Sequence, residues 1–169
     1  NLSGASLSEV SSPVQIGSDT NWSKVVCSQG ASLAIKTNGT LWSWGNNTSG
    51  ELGQNSTIPR SSPIQVGALT NWKQVAGGGS TAAIKTDGTL WAWGYNVFGQ
   101  LGNGNTTSYS SPIQVGALTN WKQVASSFDV VSAIKTDGTL WTWGYNPYGA
   151  IGNGTTTNYS SPIQVGSLT

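Results

Sequence analysis

TAAIKTDGTLWAWG, at residues 81–94, contains two runs in which apolar residues recur at short, regular intervals. The runs are joined by Thr86-Asp87-Gly88. Asp-Gly between two such runs is a strong signal for a β-hairpin, because both turn residues accept a positive φ. The stretch therefore predicts two antiparallel strands joined by a tight turn.

The same pattern recurs along the chain. Asn38-Gly39 and Asp137-Gly138 hold the turn position in two further copies. A second marker, Ser-Ser-Pro, recurs with its prolines at positions 13, 63, 112 and 162, which are 50, 49 and 50 residues apart. Tandem units of this length are typical of propeller blades or helical arrays.

One unit contains four short β-like segments and no helical periodicity. The segments are 63–66, 72–75, 81–85 and 89–93, and glycines or polar turns separate them. Four antiparallel strands in about 50 residues form one blade of a β-propeller. The sequence therefore predicts an all-β fold in which three repeats form a partial propeller or part of a larger ring or array.

These residues resemble a known family. The segment 82–96, followed by Gly99-Gln100-Leu101-Gly102, is similar to the repeat of the regulator-of-chromosome-condensation family, in its bacterial Trp-rich form. Residues 133–146 and 34–46 carry the same motif. The resemblance implies propeller blades, usually seven in a closed ring, which serve as exchange factors, inhibitors, light sensors or binding platforms.

The repeats predict the following organisation. Residues 1–17 comprise the tail of a preceding blade plus a first strand. The complete repeats are 11–60, 61–109 and 110–159, and residues 160–169 are the first strand of a further repeat. Three blades in an arc leave two apolar faces uncovered, and such faces associate unless they are capped.

The extra copy of the Ser-Ser-Pro strand suggests how those faces are covered. A strand donated to a neighbouring sheet would gain ladder hydrogen bonds at an exposed edge. We therefore expect association with copies of the chain, head to tail, or with further blades of a longer chain. The assembly residues would be Pro13, Val14, Ile16, Pro162, Ile163 and Val165.

Composition argues against several functional classes. The chain has no His and one Cys, so it lacks the residues for His-assisted nucleophiles, His-ligated metals or an internal disulfide. A net charge of +1 does not favour nucleic acid. No apolar run is long enough for a membrane helix. We therefore expect no enzymatic activity, no cofactor, no metal and no membrane insertion.

The Trp pairs have two interpretations. Large aromatics at regular strand positions are normally core, which favours packing between blades. One alternative is an aromatic platform for carbohydrate. The other, which the resemblance implies, is a Trp cluster like that of the plant ultraviolet photoreceptor. That cluster is paired with several Arg, whereas this chain has one Arg. The predicted structural core is Trp42, Trp44, Trp91, Trp93, Trp141 and Trp143.

Binding residues are expected where the repeats differ, because scaffold positions must recur whereas contact positions need not. The differing segments are predicted loops, where rigid folds commonly carry their contacts. Neutral variation in loops is an equally good explanation. The candidate binding surface comprises Arg60, Phe98, Tyr109, Phe128, Asp129, Tyr148 and Tyr159.

We therefore expect a non-enzymatic structural or assembly module that self-associates through its blades, as a ring or a filament. The low charge content of 8%, with many small polar residues, favours an extracellular or cell-surface location. The alternative is a propeller platform that binds protein or glycan. A guanine-nucleotide exchange factor is disfavoured, because the units of 49 and 50 residues leave no room for the inserted β-wedge that such family members use.

Overall fold

The structure is a computed structural model that describes residues 12–166. These residues form β-strands joined by turns and loops, and none of them builds a helix that could cross a membrane. The strands are β1 Trp22–Cys27, β2 Ala31–Lys36, β3 Leu41–Gly45, β4 Arg60–Gln65, β5 Trp72–Gly77, β6 Ser80–Lys85, β7 Leu90–Gly94, β8 Tyr109–Gln114, β9 Trp121–Ser126, β10 Val130–Lys135, β11 Leu140–Gly144 and β12 Tyr159–Gln164.

The strands form three antiparallel sheets of four strands each. The orders are β1-β2-β3-β4, β5-β6-β7-β8 and β9-β10-β11-β12, so each strand pairs with its neighbours in sequence. We call these sheets the first, second and third blades. The predicted all-β fold of four-stranded propeller blades is confirmed, and the three blades form an open arc.

The middle strands of each blade form the predicted hairpin. In the second blade Ile84 pairs with Leu90, and the backbone N–H of Gly88 donates to the carbonyl of Lys85 at 3.0 Å. Gly88 has a φ of +78°, which a residue without a Cβ adopts at little cost. The Asp87 carboxylate accepts hydrogen bonds from the side chain and backbone of Thr89, which lower the pKa of Asp87 below its ordinary value.

The Ser-Ser-Pro strand belongs to a different sheet from the one expected. The repeat spacing predicts it as the first strand of the following blade, whereas β8 pairs with β7 and so closes the second blade. In the same way β12, with Pro162 and Ile163, pairs with β11 of this chain rather than being left over for a neighbour. The ladder from Gly94 to Tyr109 and from Trp91 to Gln114 sets this register.

The remaining copy of that strand lies at the start of the described chain. Pro13, Val14 and Ile16 are exposed and pair with no strand among residues 12–166. The predicted tail over residues 1–10 lies outside the described residues. The sequence units beginning at Ser11, Ser61 and Ser110 thus differ from the structural blades, which begin at Trp22, Trp72 and Trp121.

The core lies between the blades. One cluster joins Leu33, Ile35, Leu41 and Val66 of the first blade and its linker to Trp72, Val75, Ala83 and Trp93 of the second. An equivalent cluster joins the second and third blades, with Trp121, Val124 and Trp143 on the third-blade side. Inter-blade packing involves mainly the first two strands of each sheet, so the blades converge along that side of the arc.

Candidate interaction faces and pockets

Two of the predicted core tryptophans lie wholly inside the molecule. Trp93 and Trp143 are 0% exposed, and each reaches across a junction between blades. The indole Nε1 of Trp93 donates to the Glu51 carbonyl at 2.9 Å, and that of Trp143 donates to the Gln100 carbonyl at 2.8 Å. Buried indole N–H groups normally need such an acceptor.

Two backbone hydrogen bonds complete each junction. Between the first and second blades, Trp72 N donates to Gly39 O at 3.1 Å, and Asn55 N donates to Ser110 O at 2.8 Å. Between the second and third blades the equivalent bonds run from Trp121 N to Gly88 O at 3.1 Å and from Gly104 N to Ser160 O at 2.7 Å. The two junctions therefore share this pair of backbone hydrogen bonds.

The hairpin glycines allow the close approach. A Cβ built on Gly39 would collide with the Thr70 carbonyl of the next blade, and one on Gly88 would collide with the Thr119 carbonyl. Gly138 is the third member of this set, and a Cβ there would meet nothing within 4 Å among residues 12–166. The position that is closed at two junctions is thus open at the end of the described arc.

The two ends of the arc leave apolar surface uncovered within the described structure. The leading face of the first blade comprises Trp22, Val25 and Trp44, and Val14 and Ile16 line the same hollow. Val25 is 67% exposed, whereas its equivalent Val75 is 5% exposed against the first blade. The trailing face of the third blade comprises Ile134, Leu140, Ala150 and Val165, where Leu140 is exposed although its equivalents Leu41 and Leu90 are buried.

The polar groups of these end faces are complementary. By repeat equivalence, the leading face presents Trp44 Nε1, Trp22 N and Ser61 O. The trailing face presents Ala150 O, Gly138 O and Gly154 N. None of these six groups makes a hydrogen bond across a junction among residues 12–166. Each donor on one face therefore matches an acceptor on the other, in the pattern of the internal junctions.

The other predicted core tryptophans occupy a different environment. Trp42, Trp91 and Trp141 are partly exposed and, like Trp93 and Trp143, point from the third strand of a blade. Each indole N–H donates to the threonine two residues earlier, at 2.8–2.9 Å, and that threonine donates to Asn38, Asp87 or Asp137 of the turn. The hairpin turn therefore holds these rings in place.

A lysine ammonium lies over each of these rings. Lys85 Nζ is 3.4 Å from the Trp91 ring centroid and Lys135 Nζ is 3.5 Å from that of Trp141, and both lie 5.0 Å from a second Trp, of β5 and β9 respectively. In the first blade Lys36 Nζ is 4.2 Å from the Trp42 centroid. Burial lowers the pKa of Lys85, and Asp87 partly opposes that effect.

A cavity adjoins this cluster in each blade. The cavity volumes are about 320 Å³ in the first blade, 520 Å³ in the second and 300 Å³ in the third. The walls combine the two tryptophans, the Ser-Ser-Pro strand and the linker that enters the blade. In the second and third blades, residues 53–55 and 102–103 of the preceding blade also line the cavity. Sequence reasoning missed these lysines, although one lysine stands at the same position of all three repeats.

The predicted loop surface is spread over several places. Phe98 is partly buried and stacks on Tyr145 at 4.3 Å, with Tyr95 at 6.3 Å. Tyr148 is 92% exposed, and Phe128 is also exposed. Asp129 accepts a hydrogen bond from Gln100 Nε2 at 3.2 Å. Three candidates share one position at the start of a fourth strand, where they face glycines in the register: Arg60, Tyr109 and Tyr159.

Comparison with known proteins connects the repeat to one family. The family model described as the regulator of chromosome condensation (RCC1) repeat matches residues 38–84, 87–134 and 137–169. A second model with the same description matches residues 22–51 and 73–100. No curated protein matched the chain.

Several solved structures share the fold. Prp20p from Saccharomyces cerevisiae superposes with a TM-score of 0.78 at 18% identity, covering 88% of this chain and 39% of that one. Human WBSCR16 gives 0.75 at 23% identity, covering 85% and 37%. Yeast RCC1 (Prp20) bound to Kap60 gives 0.77 at 18% identity, covering 88% and 37%. The chain thus spans less than two-fifths of these structures, and the likeness shows the fold alone.

Proposed function

Because the chain belongs to the regulator of chromosome condensation (RCC1) repeat family, we propose that it is a non-enzymatic module that docks further propeller blades on its two end faces. The first partner we propose is a second copy, joined head to tail. The observation that carries this proposal is the match between Trp44 Nε1, Trp22 N and Ser61 O on one face and Ala150 O, Gly138 O and Gly154 N on the other.

Apolar burial supplies the driving force for this contact. Trp44 and Val25 would enter the environment that Trp93 and Val75 have inside the arc. Burying apolar surface contributes about 25 cal/mol per Å², and an interface of about 800 Å² per partner is ordinary for a specific complex. A head-to-tail contact gives a closed ring if the rotation closes and a filament if it does not.

Gly138→Asn provides the test of docking. Asparagine tolerates a positive φ, so the variant should keep its turn. Its Cβ, however, should collide with the neighbouring chain's backbone, as a Cβ on Gly39 or Gly88 would collide within this chain. By light scattering at micromolar concentration, we expect assemblies of the wild-type chain and a variant that needs at least about tenfold higher concentration to assemble.

The matched control is Gly116→Asn. Gly116 has a φ of +63° and nothing within 4 Å of its added Cβ, and it lies away from both end faces. This variant should assemble as the wild type does. A wild-type chain that stays a soluble monomer would overturn self-association, and equal loss of assembly in both variants would overturn the proposed contact.

A second candidate function is protein binding at the rim between the second and third blades. Phe98, Tyr95 and Tyr145 form a stacked group there, and Tyr148 presents an exposed ring nearby in sequence. Two of the similar structures are described as binding Gsp1p and histones, or Kap60. A partner captured by cross-linking at this rim should be lost with Tyr148→Ser and kept with Gly116→Asn. A glycan array with the same two variants tests the glycan alternative.

The other expectations remain proposals. An extracellular or cell-surface location is supported by composition, with charged residues at 8%. The absence of enzymatic activity is supported by the residue content, since the chain has no His and the described residues hold no group of three potential metal ligands among Cys, Asp and Glu.

A further inference from the structure

The lysines over the tryptophan pairs differ between blades in the carboxylate near them. In the second and third blades the turn residues Asp87 and Asp137 carry a carboxylate near the lysine, where the first blade has Asn38. In the first blade Asp19 Oδ2 lies 2.7 Å from Lys36 Nζ and forms a salt bridge. The equivalent positions of the second and third blades are Leu69 and Leu118. Within residues 12–166, neither Lys85 nor Lys135 has an acidic partner in a salt bridge.

The ammonium of the third blade has the Asp137 carboxylate of its own turn nearby, but it forms no salt bridge among residues 12–166. Lys135 is more than nine-tenths buried, and it lines the cavity of about 300 Å³ together with Trp121, Trp141 and Leu118. Its contact with the Trp141 ring offsets part of the cost of removing a charge from water, but an ammonium offers three hydrogen-bond donors that a ring face satisfies poorly.

One of the tryptophans that line the cavity also has an unsatisfied polar group. The buried Nε1 of Trp121 has no acceptor among the described residues, and the same holds for Trp72 at the equivalent cavity. Buried donors without acceptors are uncommon in folded proteins, and each one calls for an explanation. A cavity with apolar walls and a few convergent polar groups is the usual form of a small-ligand site.

We propose that the cavities of the second and third blades each bind a carboxylate carried on a small apolar body. The carboxylate would occupy the position that Asp19 fills beside Lys36, and the apolar body would pack between the tryptophans and Leu69 or Leu118. The first blade would not bind, because its own Asp19 supplies the carboxylate. This inference does not depend on docking at the end faces, since the cavities of the second and third blades lie at the internal junctions.

The probe is 3-phenylpropanoate, and its neutral control is 3-phenylpropanamide, which has the same body. Titrations of the ¹⁵N-labelled chain are followed through the indole N–H resonances. We expect the acid to shift the resonances of Trp72, Trp91, Trp121 and Trp141, and not those of Trp22 and Trp42. The amide should bind at least about tenfold more weakly, as expected when a charge-assisted hydrogen bond is lost.

Two single substitutions should exchange the ability of the first and third blades to bind the acid. Leu118→Asp places a carboxylate where Asp19 stands, and it should abolish the response of Trp121 and Trp141 while leaving that of Trp72 and Trp91. Asp19→Leu should make Trp22 and Trp42 respond. Leu118 and Asp19 are both exposed, so neither change disturbs the core.

Three outcomes would overturn the proposal. One is an equal response to acid and amide, which would mean apolar binding alone. Another is no response to the acid up to 10 mM, a concentration roughly tenfold above the Kd expected for weak small-ligand sites. The third is an unchanged third-blade response in Leu118→Asp.

Discussion

Trp93→Ala is expected to lower the free energy of unfolding by about 3–5 kcal/mol, the usual cost of removing a large buried aromatic side chain. Trp93 is 0% exposed, packs at 5.9 Å from the Trp72 ring and donates its indole N–H to the Glu51 carbonyl. The substitution would leave a cavity at the first junction and remove a buried hydrogen bond between the blades.

The matched control for this prediction is Trp44→Ala. Trp44 holds the same position in the first blade, but it is partly exposed, and its Nε1 has no acceptor among residues 12–166. At a concentration where the chain is monomeric, Trp44→Ala should lower the free energy of unfolding by less than half as much as Trp93→Ala, because less packing is lost. Urea unfolding followed by circular dichroism measures both. Equal losses would contradict the assignment of Trp93 to the junction.

Gly88→Ala should be more destabilising than Gly138→Ala by about 1–3 kcal/mol, the typical cost of overpacking. Both glycines have positive φ, +78° and +85°, so both variants carry the same local strain. A Cβ on Gly88 also collides with the Thr119 carbonyl, whereas one on Gly138 meets nothing within 4 Å in the part of the chain that the structure describes. The difference in free energy of unfolding between the two variants therefore measures the effect of the close contact at the second junction.

Thermal unfolding of the two glycine variants and the wild type, recorded at low concentration, gives this difference. The Gly138→Ala variant should lose only about 1 kcal/mol, from strain at positive φ. If both variants lost stability equally, the close approach of Gly88 to the third blade would be contradicted.

The hairpins and the blade architecture could be predicted from sequence because they depend on local signals. Asp87-Gly88 specifies the turn, and the spacing of Trp91 and Trp93 reflects strand geometry. The sheet to which Ser-Ser-Pro belongs could not be predicted in this way. Its strand lies closer in sequence to the following Trp72 strand than to the preceding one, but its partner is fixed by hydrogen bonds between distant backbones.

The hydrogen bonds between blades could not be predicted from the sequence for a related reason. The acceptors for Trp93 and Trp143 are backbone carbonyls, so Glu51, Gln100 and Ala150 can offer the same acceptor atom with different side chains. Comparison of the repeats therefore gives no signal for these acceptors. The lysine clusters did carry a sequence signal, since Lys36, Lys85 and Lys135 recur, but a lysine at a strand end ordinarily indicates solvent exposure.

The location of the Ser-Ser-Pro strand in the preceding sheet determines where this protein can be divided. A recombinant fragment cut before Ser61 or Ser110 would separate a fourth strand from β3 or β7 and leave that strand's edge bare. Cuts within the linkers at residues 67–71 or 116–120 would instead release whole sheets. Domain borders drawn at the sequence repeat would therefore give fragments prone to aggregation, whereas borders drawn at the linkers would preserve each blade.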